Sequence, residues 1–390
     1  MSEADLNADV AIVGGGIMGS AAAFWITRYD PRCAVIVVER DPTYASASSA
    51  LSAAGIRQQY TTEINVRISQ ASIEFLRDAG RHLDRSAASL GLREAGYLYL
   101  ATSAGALRLQ QRWRRQRALG VEVARLDRAD LAARFPWLAT GDLALGTLGL
   151  RGEGWLDGPG LLAAFASRAR AQGVRYVRAE AVGFTGADRH LDGIRLADGR
   201  IVRSAAIVNA AGPWARTVAR WAGIELPVSA RRRTVYVIEC PSRLETLPLL
   251  IDPSGFWIRP EGERYIAGYS PTPDEDGAPL EPDYAGFESV LWPALATRIP
   301  AFESARLRGA WAGYYEMNDF DQNGLLGTLP DQPRLWFING FSGHGLQQAP
   351  IVARGLAERI LFERYRTLDL SALDVTRWPD DRPLRELNVI

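Results

Sequence analysis

The chain has 390 residues, enough for two domains with substantial cores, and at 47% hydrophobic and 23% charged its composition is that of an ordinary globular protein. Forty-five acidic residues balance 45 basic ones, so no basic excess points to nucleic acid or an anionic membrane surface. Cys33 and Cys240 are the only cysteines, which excludes a disulfide framework or cysteine metal cluster, and the sequence contains no lysine, which excludes Schiff-base or lysine-held-water chemistry.

Residues 1–7 are short, polar and acidic rather than a leader, and no later apolar run approaches a membrane span, so the expected location is cytoplasmic. Val10-Ala11-Ile12-Val13 reads as a buried strand that ends in Gly14, Gly15 and Gly16, and an alanine-rich helical pattern follows at once. Gly14, Gly16 and Gly19 occupy the G-x-G-x-x-G positions of a dinucleotide-binding turn, with Ile17 and Met18 at the helix start. The first glycine permits the turn, the second admits a pyrophosphate to the backbone, and the third lets helix pack on strand. Residues 34–38 form a second buried strand, and Glu39 closes it about 20 residues after the glycines, where an acid meets ribose hydroxyls. A glycine turn alone is a weak signal; strand, glycines, helix, strand and acid in that order are a stronger one.

After Arg40 comes a small-residue, hydroxyl-rich run, residues 45–55, including Ser48, Ser49, Ala54 and Gly55. Such a run can press backbone and serine groups against an extended ligand. A helix is expected to open at Thr61 or Thr62, burying Ile64, Ile68, Ala71 and Phe75. Residues 96–102 read as a strand, and residues 104–118 as an arginine-rich helix with a solvated face. Asp127 is expected to cap a short helix that ends before Pro136, and Asp157 or Gly158 to cap a longer one that stops at Gly173. Residues 174–185, 193–196 and 200–202 suggest a meander turning at Asp192-Gly193 and Asp198-Gly199.

Residues 205–210 are another strand, ending in the turn Ala211-Gly212-Pro213-Trp214. Strand candidates at 234–239, 255–259 and 264–268 join 96–102 in a mixed or antiparallel second sheet, and 271–282 is a loop rich in Pro and Asp. Residues 335–340 form a final buried strand that runs through Phe341-Ser342-Gly343-His344-Gly345 into a helix over 346–362.

Three of these segments together, 14–19 with Glu39, 209–214 and 339–347, resemble the FAD-dependent D-amino-acid oxidase superfamily, nearest its sarcosine and dimethylglycine oxidase and dehydrogenase branch. Residues 50–60 and 313–324 are particularly similar to the FAD-dependent oxidoreductase domain-containing proteins of that branch. The resemblance spans nearly the whole chain. It implies an α/β (α+β overall) fold: a Rossmann-like FAD-binding domain (1–90, 155–226 and 325–370), a substrate domain on a mixed or antiparallel sheet (91–154 and 227–324), and a tail, 371–390. It also implies FAD, with Val182, Ala211, Gly212, Trp214, Gly343, His344, Gly345, Leu346 and Gln347 joining the cofactor-binding residues above. The helix beginning at Leu346 would direct its N-terminus at the flavin, where backbone donors favour negative charge.

In the sarcosine oxidase group an arginine matching Arg57 binds the substrate carboxylate, and the guanidinium fork suits that role. Tyr60, Trp257, Tyr269, Tyr315 and Glu316 are further pocket candidates, although aromatics on strands usually serve as core. His344 is expected beside the flavin rather than as a base.

Two departures qualify the resemblance. Gly313 stands where covalent sarcosine oxidases attach FAD through cysteine, and no histidine lies in 48–55, so FAD is expected to be non-covalent. The oxygen-activating lysine of sarcosine oxidases corresponds to Ile266, and a carboxylate-holding lysine to Gln347. The implied activity is oxidation of a C–N bond in an amino acid or N-substituted (N-methyl) amine, hydride passing to flavin N5 and the imine hydrolysing. A dehydrogenase passing electrons to a carrier protein or quinone is favoured over an oxidase. The alternatives are a 2-hydroxy acid dehydrogenase with His344 as base, and a non-catalytic FAD-binding assembly protein. No metal, nucleic acid or membrane span is expected.

Overall fold

The computed structural model describes residues 5–187, 190–244 and 246–387. Its first sheet is built outward from Leu6–Val13, whose last four residues are all buried. Leu6–Val13 lies parallel between Ile201–Asn209 and Val35–Glu39, and the sheet continues on one side to Arg175–Arg178 and on the other to Gln332–Asn339 and the antiparallel Leu325–Leu329. Strands buried on both faces need helices on both sides, which explains their continuous apolar runs. Ile17–Tyr29, Gly158–Ala171, Glu63–Arg77 and Gly345–Phe362 supply one layer, packed through Phe24, Trp25, Phe75, Phe165 and Leu356.

The second sheet runs Arg306–Asn318, Val228–Glu239, Arg264–Tyr269, Phe256–Glu261, Leu249–Ile251, Tyr97–Thr102, Leu143–Gly149 and Val123–Leu126. It is antiparallel except where Leu249–Ile251 meets Tyr97–Thr102, so the expected mixed second sheet is correct. Period-2 alternation divides its side chains between two cores. Leu98, Leu100, Tyr236, Ile238 and Tyr265 face an outer cluster, while Tyr97, Tyr99, Val235, Trp257 and Ile266 face inward towards the first sheet.

The helix signals fall where the sequence placed them. Asp127 accepts a bond from Asp130 N in a reciprocal capping box before Arg128–Arg134, and Asp157 caps Gly158–Ala171 through Gly160 N. Ser103–Ala118 buries only Leu109 and Gln116, as its arginines implied.

Four expectations need correction. Asp192-Gly193 is not a turn: it lies inside the strand His190–Leu196, at a register shift, where Asp192 accepts from Thr185 Oγ1 at 2.6 Å. Residues 200–202 and 205–210 are not separate strands; one strand, Ile201–Asn209, crosses from hairpin to nucleotide sheet. Glu63–Arg77 follows Thr62 as expected, but Ile64 and Ala71 are only partly buried, and Asn65, Ser69 and Ser72 face inward. Two of those polar groups are accommodated because Asn65 Nδ2 donates to Asn323 and Glu386 (2.6 and 3.1 Å), and Ser69 Oγ accepts from Gln347 at 3.3 Å. Finally, the 13-residue strand Arg306–Asn318 has no counterpart among the strand candidates, because Gly309 and Gly313 interrupt its pattern.

The C-terminal segment is tied into the body of the protein. Arg377 forms a buried ion pair with Asp321 (2.8 Å), and the Glu386 carboxylate accepts from Thr61 N and Thr62 N, fixing the two residues that lead into Glu63–Arg77.

Candidate cofactor and substrate cleft

A cleft with a cavity volume of ≈ 240 Å³, open to solvent, runs between the two sheets. Its floor is backbone. Gly14 (φ +97°) makes the turn out of Leu6–Val13, and a Cβ there would stand 2.5 Å from Ala210 O. At Gly16 a Cβ would meet only Ser49 Oγ at 3.6 Å, which marks the position that faces the ligand space. Gly14, Gly16, Ile17 and Met18 line the cleft; Gly19 does not, and instead lets the helix pack on the Gly14 carbonyl, where a Cβ would overlap the oxygen. The N-terminal N–H groups of Ile17–Tyr29 therefore open onto the cleft, as anion binding requires.

Glu39 lines the same end, its carboxylate accepting from Gly15 N (2.7 Å) and Asp41 N (2.8 Å). Arg40 stacks its guanidinium 4.0 Å from the Trp214 ring centroid, so Ala211, Gly212 and Trp214 form the facing wall. Ser48 and Ser49 complete it, with Ala53 in place of the expected Ala54 and Gly55. Ala54 instead donates to Ser52 Oγ, and Gly55 lies under the Tyr97 hydroxyl. Val182, in the strand Ala181–Ala187, also lies off the cleft and is 44% exposed; the preceding Ala179, Glu180 and Ala181 line it.

The far end is closed by the turn before Gly345–Phe362. Gly340, Ser342 and Gly343 all have positive φ, and the turn is fastened to Arg306–Asn318: Ser342 N donates to Glu316 O, and Ser342 Oγ accepts from Asn318 N, both at 3.0 Å. Gly343, Gly345 and Leu346 line the cleft at the start of this helix. Gly343 must be glycine, since a Cβ would enter the Tyr315 ring.

The roof is side chain: Arg233, Val235, Trp257, Tyr269, Tyr315 and Glu316. Burial lifts the Glu316 carboxyl to about 7, against the backbone N–H groups of Gly340 and Phe341, which favour its charge. Burial likewise raises the Tyr315 phenol, while Arg233 and then Arg57 pull it down.

Arg57, Tyr60, His344 and Gln347, expected around the substrate, form one buried cluster behind the cleft lining. Arg57 Nη1 donates to Tyr99 Oη (2.8 Å) and Gln59 O (3.2 Å), and its guanidinium lies 4.2 Å from the Tyr60 ring centroid. Arg57 Nη2 meets His344 Nε2 at 2.8 Å. Because guanidinium can only donate, that nitrogen is the acceptor and the imidazole proton sits on Nδ1. Gln347 bridges the group, accepting from Arg57 N at 2.8 Å and donating to Tyr60 Oη. Below it, Glu153 accepts from Gln58 N, Gln59 N and Gln59 Nε2 (2.6, 3.0 and 2.8 Å); burial still lifts it to about 7.

Sequence reasoning missed Arg233. It hides in the run Arg231-Arg232-Arg233, where nothing local distinguishes the residue that alternation turns into the cleft. Among the described residues, no grouping of His, Cys, Asp and Glu could hold a metal ion, and no helix is long and apolar enough to cross a membrane.

A glycine-turn floor with two helix N-termini, under an aromatic and cationic roof, defines a dinucleotide-cofactor protein. The family model described as FAD dependent oxidoreductase matches residues 9–359, and the chain belongs to that family. FAD-dependent oxidoreductase domain-containing protein 1 of Xenopus laevis is 40% identical over 98% of this chain and 85% of its own. Glycine oxidase of Geobacillus kaustophilus is 26% identical over 95% of this chain and 97% of its own. Its crystal structure gives a TM-score of 0.83 at 25% identity, covering 95% of this chain and 99% of that one. The fold is shared also with L-proline dehydrogenase from P. horikoshii: TM-score 0.86, 24% identity, 97% of this chain and 100% of that one.

The chain is thus an FAD-dependent oxidoreductase, and its own residues fit the cofactor. Beyond the glycine cradle, buried polar atoms of the lining, Ser48 Oγ, Arg233 Nε and Glu316 Oε2 among them, have no partner among the described residues, as expected of groups that meet a polar ligand.

Proposed function

We propose that the enzyme oxidises the C–N bond of an amino acid or N-substituted amino acid, as a dehydrogenase rather than an oxidase, with FAD held non-covalently. The observation that carries this reading is the aromatic roof with arginine on it: a dry, carboxylate-seeking wall opposite the helix N-terminus at Gly345. The glycine oxidase relative, named for an amino acid, supports the substrate class. FAD in this cleft would supply the two-electron acceptor. The protein's part is then positioning, exclusion of water and a field that favours negative charge.

Arg57 is proposed to draw the α-carboxylate towards Tyr315, held rigid by Tyr99, Gln59 and His344. His344 Nε2 is already committed to Arg57, which leaves it poorly placed as the base that 2-hydroxy acid oxidation requires. Ile266 is buried in the inward face beside Trp257, where an oxygen-activating lysine would otherwise sit; this supports slow reaction with oxygen and an electron-carrier protein or quinone as acceptor. Gly313 lines the cleft with its Cβ position against Leu51, which argues against a covalent flavin link there.

The test is an anaerobic screen of amino acids, N-methylated amino acids and 2-hydroxy acids for loss of the oxidised flavin band. Bleaching by amines and not by hydroxy acids is expected, with slow peroxide release in air and flavin freed by acid precipitation. Bleaching by hydroxy acids alone overturns the amine reading, and rapid peroxide release overturns the dehydrogenase reading.

A further inference from the structure

Arg233 sits mid-strand in Val228–Glu239, opposite Gly313 of Arg306–Asn318, so no neighbouring side chain at that register covers it. Its guanidinium lines the cleft 5.1 Å from the Tyr315 ring centroid, and its side chain is 10% exposed. It grips a carboxylate in the two-pronged manner of the strongest guanidinium pairs: Nη1 donates to Asp274 Oδ1 (2.7 Å) and Nη2 to Asp274 Oδ2 (2.8 Å). Its buried Nε has no partner among the described residues.

Asp274 belongs to the loop over 271–282, and that loop does not depend on this pair. Asp276 accepts from Ala230 N (2.8 Å) and pairs with Arg216 (2.9 Å), Gly277 N donates to Ala230 O (2.9 Å), and Ala278 O accepts from Tyr314 Oη (2.7 Å). The Asp274 side chain, a third exposed, can therefore turn to water while the loop stays docked. An incoming carboxylate would exchange one partner of Arg233 for another, without leaving a buried charge alone.

We infer that Arg233 is a second carboxylate site, that Asp274 holds it between turnovers, and that the preferred substrate is an amino dicarboxylate. Arg57, against the Tyr60 ring, then takes one carboxylate and Arg233, against the Tyr315 ring, the other. This rests on the amine-oxidising reading above, but the site can be tested apart from it.

The FAD-loaded protein is titrated with unreactive succinate and glutarate against butyrate, following the flavin spectrum. Iminodiacetate is then compared with N-methylglycine for anaerobic bleaching. The wild type should prefer the dicarboxylate by about 10- to 100-fold, the range of a charged hydrogen-bonded pair. Arg233→Met should bring the ratio close to one. Asp274→Asn should tighten dicarboxylate binding about 3- to 10-fold by removing the competitor, a gain that misfolding cannot imitate. Equal binding of mono- and dicarboxylates by the wild type, an unchanged ratio in R233M, or no gain in D274N each overturns the proposal. An Arg233-dependent dicarboxylate preference without bleaching by any amine would sink the amine reading and leave the site standing; bleaching without the preference would do the reverse.

Discussion

The two walls of the cleft are built from different materials. The floor recognises its ligand with backbone: glycines at 14 and 16, and the first N–H groups of Ile17–Tyr29 and Gly345–Phe362. The roof works with side chains contributed by four strands spread over the sequence from Arg233 to Glu316. Backbone recognition tolerates no added atoms but is indifferent to most side-chain chemistry; side-chain recognition is the reverse. The floor should therefore fail through sterics and lose cofactor, while the roof should keep cofactor and change what is oxidised.

The largest effect is expected at Gly19. Gly19→Val places a branched side chain on the Gly14 carbonyl and should cost more than about 4 kcal/mol, giving protein without bound flavin. Retention of a normal visible spectrum would break the distinction between the walls. Gly343→Ala is the test at their junction. Its Cβ would press into Tyr315 at a backbone φ of +85°, for an expected loss of about 2–4 kcal/mol. Because the displaced group belongs to the roof, KM should rise more than flavin content falls.

Glu316 gives a pH signature of somewhat smaller size. Burial raises its carboxyl from 4.5 to about 7, so the folded protein binds this proton more tightly than the unfolded chain. Its contribution is fully present below 4.5 and is lost as pH rises through 7. Glu316→Gln keeps the shape and the acceptor for the Gly340 and Phe341 amides. It should match wild type near pH 4 and exceed it by up to about 3 kcal/mol at pH 8, read as melting temperature against pH. Parallel curves for the two proteins would show that the carboxyl is ionised throughout. The smallest effect is expected outside both walls: Arg114→Ala with Arg115→Ala, on the exposed face of Ser103–Ala118, should change stability by less than about 0.5 kcal/mol and leave turnover alone.

The same contrast explains what could be read from the sequence. A glycine that must be glycine leaves its mark in the letters, so the turn at 14–19, the acid at 39 and the turn at 340–345 were legible before any coordinates. Arg233 was not, because its meaning comes from alternation along one strand and from Asp274 forty-one residues later. Val182 erred by a residue or so for a similar reason: the segment was right, but which residue at the start of the strand faces inward depends on packing. Arg57 was singled out from the sequence, yet its partners Tyr99 and His344 come from elements that only the tertiary fold brings together. The inward Asn65 and Ser69 defeated a reading by hydrophobic period, since their partners Glu386, Asn323 and Gln347 lie more than 250 residues away.

Glu386 carries a consequence for how the protein comes to life in the cell. Its fully buried carboxylate holds the backbone of Thr61 and Thr62 and the amide of Asn65, immediately after the segment that bears Arg57 and Tyr60. During synthesis those early residues leave the ribosome long before their clasp exists. The wall that bears Arg57 and Tyr60 gains this clasp only after 325 further residues have been made, so its completion trails far behind the turn at Gly14.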